Sequence, residues 1–217
     1  MKRNFIVSEH PQNTPEWMAD RAGRVTGSNA AAVTAKARSG SGEAATRADY
    51  RVQLALERLL CKSCADEFSS ADTERGHDRE PFARMRYEIQ TGIAVEQCGF
   101  VYREDMMAGC SPDGLLVDGG RLGLWEGKCP KTKTHFKYLI EKRIPPTYMN
   151  QVLHNTLVTG AEFVDFVSFD PDMPEKLQLF VFRWERDEAL IKEYEVALRQ
   201  FLFEVDATHK QIAAMAA

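Results

Sequence analysis

Apolar positions along the chain change period several times, and each change predicts an element. From Tyr50 to Leu60 the residues Val52, Leu54, Leu56, Leu59 and Leu60 recur at helical spacing, and a second helix is expected around Phe82, Met85 and Ile89. Pro145-Pro146 opens a third helix through Met149, Val152, Leu153 and Leu157, with Gly160 placed to end it. A long amphipathic helix from about Asp187 to Ala207 presents Leu190, Ile191, Tyr194, Leu198, Phe201 and Val205 to a core. Thr26 to Ala35 is alanine-rich and reads as a helix that Thr26 or Ser28 can cap, followed by a mobile loop over Lys36 to Glu43. Strand patterns occupy Ala94 to Tyr102, the segment around Gly119-Gly120, Glu162 to Phe169 and Leu177 to Trp184, the last two alternating and joined by an Asp170-Pro171 turn. Helices followed by a mixed sheet with helices around it make an α/β fold. No internal repeat is present.

The hairpin at Gly119-Gly120 carries the chemistry. A two-residue primed turn needs positive φ at its centre, which glycine supplies without steric cost. With the turn centred there, Asp113 faces Glu126, with Cβ atoms roughly 5 Å apart. Lys128, two residues after Glu126, points to the same side. A three-residue turn would break the arrangement. Two carboxylates this close raise each other's pKa unless a cation lies between them, and hard oxygen ligands suit Mg²⁺ or Mn²⁺ better than Zn²⁺. A metal-dependent nuclease is the reading, against a solvated hairpin with scattered charges.

Pro112-Asp113 followed by Glu126-Gly127-Lys128 resembles the PD-(D/E)XK nuclease superfamily, and the flanking segments resemble its lambda exonuclease and YqaJ-type viral recombinase branch. Trp17 with Arg21 to Ser28 is similar to that family's opening motif, Gly76 to Tyr87 to its acidic helix and Gln151 to Gly160 to its glutamine helix. The match spans most of residues 12 to 170. It implies a mixed central sheet flanked by helices, in the restriction-endonuclease-like nuclease core. It also implies Asp113 and Glu126 as metal ligands, with a backbone carbonyl near position 127 as a further candidate, Lys128 assisting the attacking water and Glu80 as third acid. Glu80 precedes Pro81, so it is expected just outside a helix start or at a kink, although pairing with Arg84 would explain it as well. The resemblance further implies Mg²⁺ as cofactor, with Mn²⁺ as a substitute and two ions per site. Arg21, Ser28 and Gln151 would form a pocket for the 5′-phosphate of DNA. Relatives often carry tyrosine four residues after the glutamine, where this chain has Asn155.

The implied activity is 5′-to-3′ digestion of one strand of linear duplex DNA. It releases 5′-mononucleotides and leaves a 3′ overhang for a single-strand annealing protein in phage-type recombination, and relatives form a ring of three subunits. An endonuclease of restriction or repair type, or a non-catalytic DNA-binding module, are the alternatives.

Composition adds to this in part. The 217 residues, 44% hydrophobic, suit one domain over 1–217. The opening residues are too polar for a signal peptide and no run of about 18 apolar residues occurs, so a soluble, cytoplasmic protein is expected. Five cysteines point to reduced thiols, and the Cys61–Cys64 pair lacks the partners a zinc or iron-sulfur site needs. Net charge is −4, yet Arg121 to Arg143 holds seven bases against two acids, while Gly160 to Asp206 holds twelve acids against five bases. Lys131, Lys133 and Lys137 in the basic strip are candidate contacts to the DNA backbone. His77, His135 and His154 read as polar contacts rather than ligands, with His154 able to share a helix face with Gln151.

Overall fold

A computed structural model describes residues 5–11, 14–37, 42–64 and 71–215, the side chains of 71–74 excepted. The strands are β1 (Ile6–Val7), β2 (Val25–Thr26), β3 (Val95–Glu96), β4 (Val101–Tyr102), β5 (Ala108–Cys110), β6 (Gly114–Asp118), β7 (Arg121–Lys128), β8 (Phe163–Phe169) and β9 (Leu179–Glu185). The helices are α1 (Pro15–Arg21), α2 (Ala30–Val33), α3 (Ala45–Leu60), α4 (Ala71–Thr91), α5 (Thr132–Glu141), α6 (Pro146–Thr159) and α7 (Glu188–Met215).

The strands form two mixed sheets, ordered β1-β4-β5-β2 and β3-β6-β7-β8-β9, in which only β2–β5 and β7–β8 run parallel. The α/β expectation therefore holds. In the larger sheet α4 covers one face with Ala83 and Tyr87, over Leu116, Trp125, Phe163 and Val167. The other face buries Leu115, Leu124, Val164 and Phe166 with Tyr138 of α5 and Val152 of α6. A further core joins the smaller sheet to α3, α6 and α7 through Val25, Leu54, Val101, Leu157, Leu198 and Phe201.

Several elements differ from the sequence reading. The strand expected over Ala94 to Tyr102 is two strands in different sheets: Val95 pairs with Leu116 of β6, whereas Val101 pairs with Val7 and Cys110. The polar run Glu96-Gln97 and Gly99 interrupt the apolar pattern where the chain crosses over. Thr26 to Ala35 holds only a 3-10 turn (Gly27–Asn29) and the short α2, and neither Thr26 nor Ser28 caps through its side chain. Thr26 belongs to β2, and its N–H donates to the Tyr50 hydroxyl at 3.1 Å. In the loop that follows, Lys36 bridges Glu43, and residues 38–41 lie outside the described set.

Expected to alternate, β8 is buried at all seven positions, because helices cover both faces of a central strand. Its polar residues are paired: Asp165 takes Tyr87 and Arg183, and Ser168 takes His135. On α4, Phe82, Met85 and Ile89 are exposed while Ala83 and Tyr87 are buried. The last helix runs to Met215, eight residues beyond the expected end, with Ile212 still against the core. Unpredicted α1 has its signal in Thr14-Pro15: the Thr14 hydroxyl accepts from the Trp17 N–H, and proline occupies the first turn. The helix after Pro145 ends at Gly160 as expected. No helix among the described residues is long and apolar enough to cross a membrane.

Candidate active site

The turn between β6 and β7 has positive φ at both centres, 57° at Gly119 and 80° at Gly120. Asp118 pairs with Arg121 and Gly114 with Trp125, and the same register continued one step sets Asp113 across from Glu126. Both faces of this hairpin are packed, and at its open end one face carries Trp125 and Gly127 while the other carries Asp113, Glu126 and Lys128. Trp125 is fully buried, and its indole lies where a Cβ on Gly127 would be, at 2.3 Å, so the residue between Glu126 and Lys128 must lack a side chain. The Gly127 N–H donates to Asp113 Oδ2 at 2.9 Å, which fixes that carboxylate.

Lys128 Nζ lies 2.5 Å from Glu126 Oε1 and 3.5 Å from Asp113 Oδ2. The three side chains named from the sequence thus meet on one ammonium. Burial pushes the Glu126 carboxyl up to about 7, and Asp113 and Glu80 push the same way against the pull of Lys128. Burial works against the Lys128 charge, but Asp113 and Glu126 raise its pKa well above the ordinary lysine value.

A cleft of about 530 Å³ opens over this group, lined by Glu80, Asp113, Lys128, Lys131, His77 and Tyr148 among others. Glu80 does not lie outside a helix start; it is within α4, next to the proline that the helix contains at position 81. Burial raises its carboxyl, Asp113 raises it further, and Lys128 and His77 pull it down, so it shares the electrostatics of the pair. Among the described residues no group of three His, Cys, Asp or Glu side chains is close enough to hold a metal ion by itself. The donor set nonetheless fits a hard divalent cation. Two carboxylates that share one ammonium, with a third beside the cleft and two carboxyls raised by burial and by one another's charge, are stabilised by added positive charge. Cys129 also borders the cleft, and burial pushes its thiol up to about 11, which leaves no thiolate there at neutral pH.

Arg21 and Ser28 approach this site through the smaller sheet. Parallel pairing of Val25 with Ala108 and Thr26 with Gly109 sends β2 and β5 out at the same end, one toward Ser28 and the other toward Ser111 and Asp113. Arg21 Nη1 donates to Ser111 Oγ at 3.1 Å, and its guanidinium lies 4.2 Å from the Trp17 ring centroid. Burial lowers the Arg21 pKa. Arg21, Thr26 and Asn29 line a small cavity of about 50 Å³, and the Ser28 hydroxyl is 3.4 Å from that of Thr26. The sequence reading did not single out Ser111, although its place two residues before Asp113 is a signal.

Gln151 Nε2 donates to Glu126 Oε1 at 2.7 Å, on the oxygen that Lys128 also contacts. Asn155 is buried against Gly27. His154 does not share the Gln151 contacts; buried between Gly109 O and the Tyr194 hydroxyl, it is pushed down to about 4 and stays neutral. His135 is buried between Ser168 and Leu177 O. The basic strip divides: Lys131 borders the cleft, Lys133 and Lys137 are exposed on α5 with Lys137 3.5 Å from Glu141, and Arg121 sits at the hairpin's far end against Glu185. Cys61 and Cys64 are free thiols. Tyr148, in the cleft wall, was not anticipated.

Residues 16–162 match the family described as the YqaJ-like viral recombinase domain. Among solved structures, the alkaline exonuclease LHK-Exo from Laribacter hongkongensis is 37% identical with a TM-score of 0.81, covering 94% of this chain and 98% of that one. LHK-Exo in complex with dAMP gives 38% identity and the same TM-score, covering 94% of this chain and 100% of that one. A phage-related exonuclease from Haemophilus somnus 129PT is 14% identical with a TM-score of 0.65, over 89% of this chain and 96% of that one, and shares the fold. No curated protein sequence matches.

Proposed function

Because the chain belongs to the YqaJ-like viral recombinase family, with alkaline exonuclease relatives along 94% of its length, we propose that it is a Mg²⁺-dependent exodeoxyribonuclease. We read it as one nuclease domain that digests linear duplex DNA from the 5′ end to mononucleotides. The observation that carries this reading is the meeting of Asp113 and Glu126 on Lys128 in a cleft that Glu80 also lines. Asp113 and Glu126 would hold the metal, with Glu80 completing the negative shell. A bound divalent ion supplies Lewis-acid polarisation of a phosphoryl oxygen and a lowered pKa for the attacking water.

The chain's own residues do the rest. Lys128, kept protonated by its carboxylates, stabilises negative charge developing on the scissile phosphate. Gln151 holds the Glu126 carboxylate in one orientation. Arg21 with Ser28 and Ser111 would grip the terminal 5′-phosphate, since a guanidinium fork binds phosphate bidentately. Lys131 borders the cleft where the strand backbone must pass, and Lys133 and Lys137 follow it along α5. A ring of three subunits and a single-strand annealing partner complete the proposal. Closed cyclic symmetry keeps an exonuclease on DNA through many cleavages.

Digestion of linear and closed circular duplex, each with Mg²⁺ and with EDTA, tests the reading. Loss of linear DNA alone, abolished by EDTA, is expected; cutting of the circle would establish an endonuclease instead. Light scattering should return three times 24.5 kDa, and the mass of one chain would remove the ring.

A further inference from the structure

Lys128 has one neighbour in the cleft that the acidic reading leaves unused. Tyr148 stands in the first turn of α6, half-buried, with the Lys128 ammonium 5.4 Å from its ring centroid, inside the range of a cation–π contact. The ring is fixed in turn. It packs on the buried Phe166 with centroids 5.5 Å apart, and Tyr138 meets the same Phe166 edge-on at 5.9 Å.

We propose that Tyr148 is a positioning residue whose ring holds the Lys128 ammonium in place beside Asp113 and Glu126; this rests on the active-site reading above. Asp113 and Glu126 also contact Lys128, but those carboxylates are the groups a bound cation competes for. A lysine side chain has four rotatable bonds, so without a second contact its ammonium would leave the site whenever its carboxylates were engaged elsewhere. An aromatic face attracts the ammonium without being a ligand for a hard cation, so the two demands do not conflict.

The contact can be read directly by NMR on the metal-free, ¹³C-labelled protein. The Lys128 Hε signal, identified by its absence from K128R, should lie upfield of ordinary lysine in the wild type and in Tyr148→Phe, and return to the ordinary position in Tyr148→Leu. In steady-state digestion Tyr148→Leu should lose about tenfold in kcat with KM for duplex ends unchanged, and Tyr148→Phe should recover most of that loss. A Lys128 Hε at the ordinary position in folded wild-type protein overturns the proposal, whether or not the leucine variant folds. So does a Tyr148→Leu enzyme altered only in KM, which would make the ring a stacking platform for DNA, or a Tyr148→Phe enzyme as slow as Tyr148→Leu, which would make the phenol the acting group. Lys128→Ala with wild-type turnover would fail the active-site reading instead, while the upfield shift in the wild type would persist.

Discussion

The amide of Gln151 donates to Glu126 Oε1 at 2.7 Å, across a gap of 25 residues in sequence. We propose that this bond gives the glutamine helix the task of orienting Glu126 rather than gripping the DNA end. Gln151→Ala should lower kcat by about ten- to a hundredfold, as loss of an orienting contact does, and leave the preference for 5′-phosphorylated over 5′-hydroxyl ends intact. Arg21→Ala should do the reverse, largely erasing that preference by removing a charge-assisted contact of about 1.5 to 3 kcal/mol. Paired digestions of the two end types by both variants check the division, and a Gln151→Ala enzyme blind to the end phosphate would return Gln151 to the pocket.

Asp113→Ala, Glu126→Ala and Lys128→Ala should each remove cleavage by several orders of magnitude and leave the protein folded. Acid-soluble nucleotide release beside circular dichroism makes the measurement. Wild-type turnover by any one of them would sink the site assignment.

Glu126 sets a pH dependence. Its carboxyl is raised to about 7 by burial, so the carboxylate form needed for a cation becomes dominant only above that pH. Mg²⁺ affinity and turnover should climb from pH 6 to pH 8. Stability runs the other way. The native state keeps a proton that the unfolded chain releases near pH 4.5, so the metal-free protein loses stability as pH rises from about 4.5 to about 7. Glu126→Gln should be inactive and, without metal, melt several degrees above the wild type at pH 8 but not at pH 4. Equal melting temperatures at pH 8 would show that the buried carboxylate carries no such cost.

Gly127 offers a test of packing. A Cβ there meets the Trp125 indole at 2.3 Å with no flexible neighbour to yield, so Gly127→Ala should destabilise by about 1 to 3 kcal/mol. Urea unfolding followed by tryptophan fluorescence measures it. A shift in indole emission should accompany the loss, because the ring must move.

The site was more legible than the fold around it, for a local reason. Asp113, Glu126 and Lys128 are joined by one hairpin whose register two glycines determine, so their meeting needs no knowledge of distant contacts. Long amphipathic α3 and α7 were legible because a 3.6-residue period over many turns has no strand counterpart. The two short strands within Ala94 to Tyr102 were not, since each takes its state from a partner remote in sequence: Val95 from Leu116, Val101 from Val7 and Cys110. On α4 the apolar residues mislead. Phe82, Met85 and Ile89 face outward, while burial falls on Ala83 and on Tyr87, whose hydroxyl is directed to Asp165. The helix that carries Gln151 and Tyr148 was legible, but which atoms they touch depends on how α6 lies across β7, and no local pattern carries that.

If Arg21 holds the DNA end, its bond to Ser111 would give the enzyme a ruler. Ser111 and Asp113 are two residues apart, so the group that would hold the DNA end and the carboxylate that would serve the cut are tied to each other through one short stretch of chain. Product length would then be set by the covalent chain rather than by how far the duplex happens to slide, and each round would measure out the same single unit.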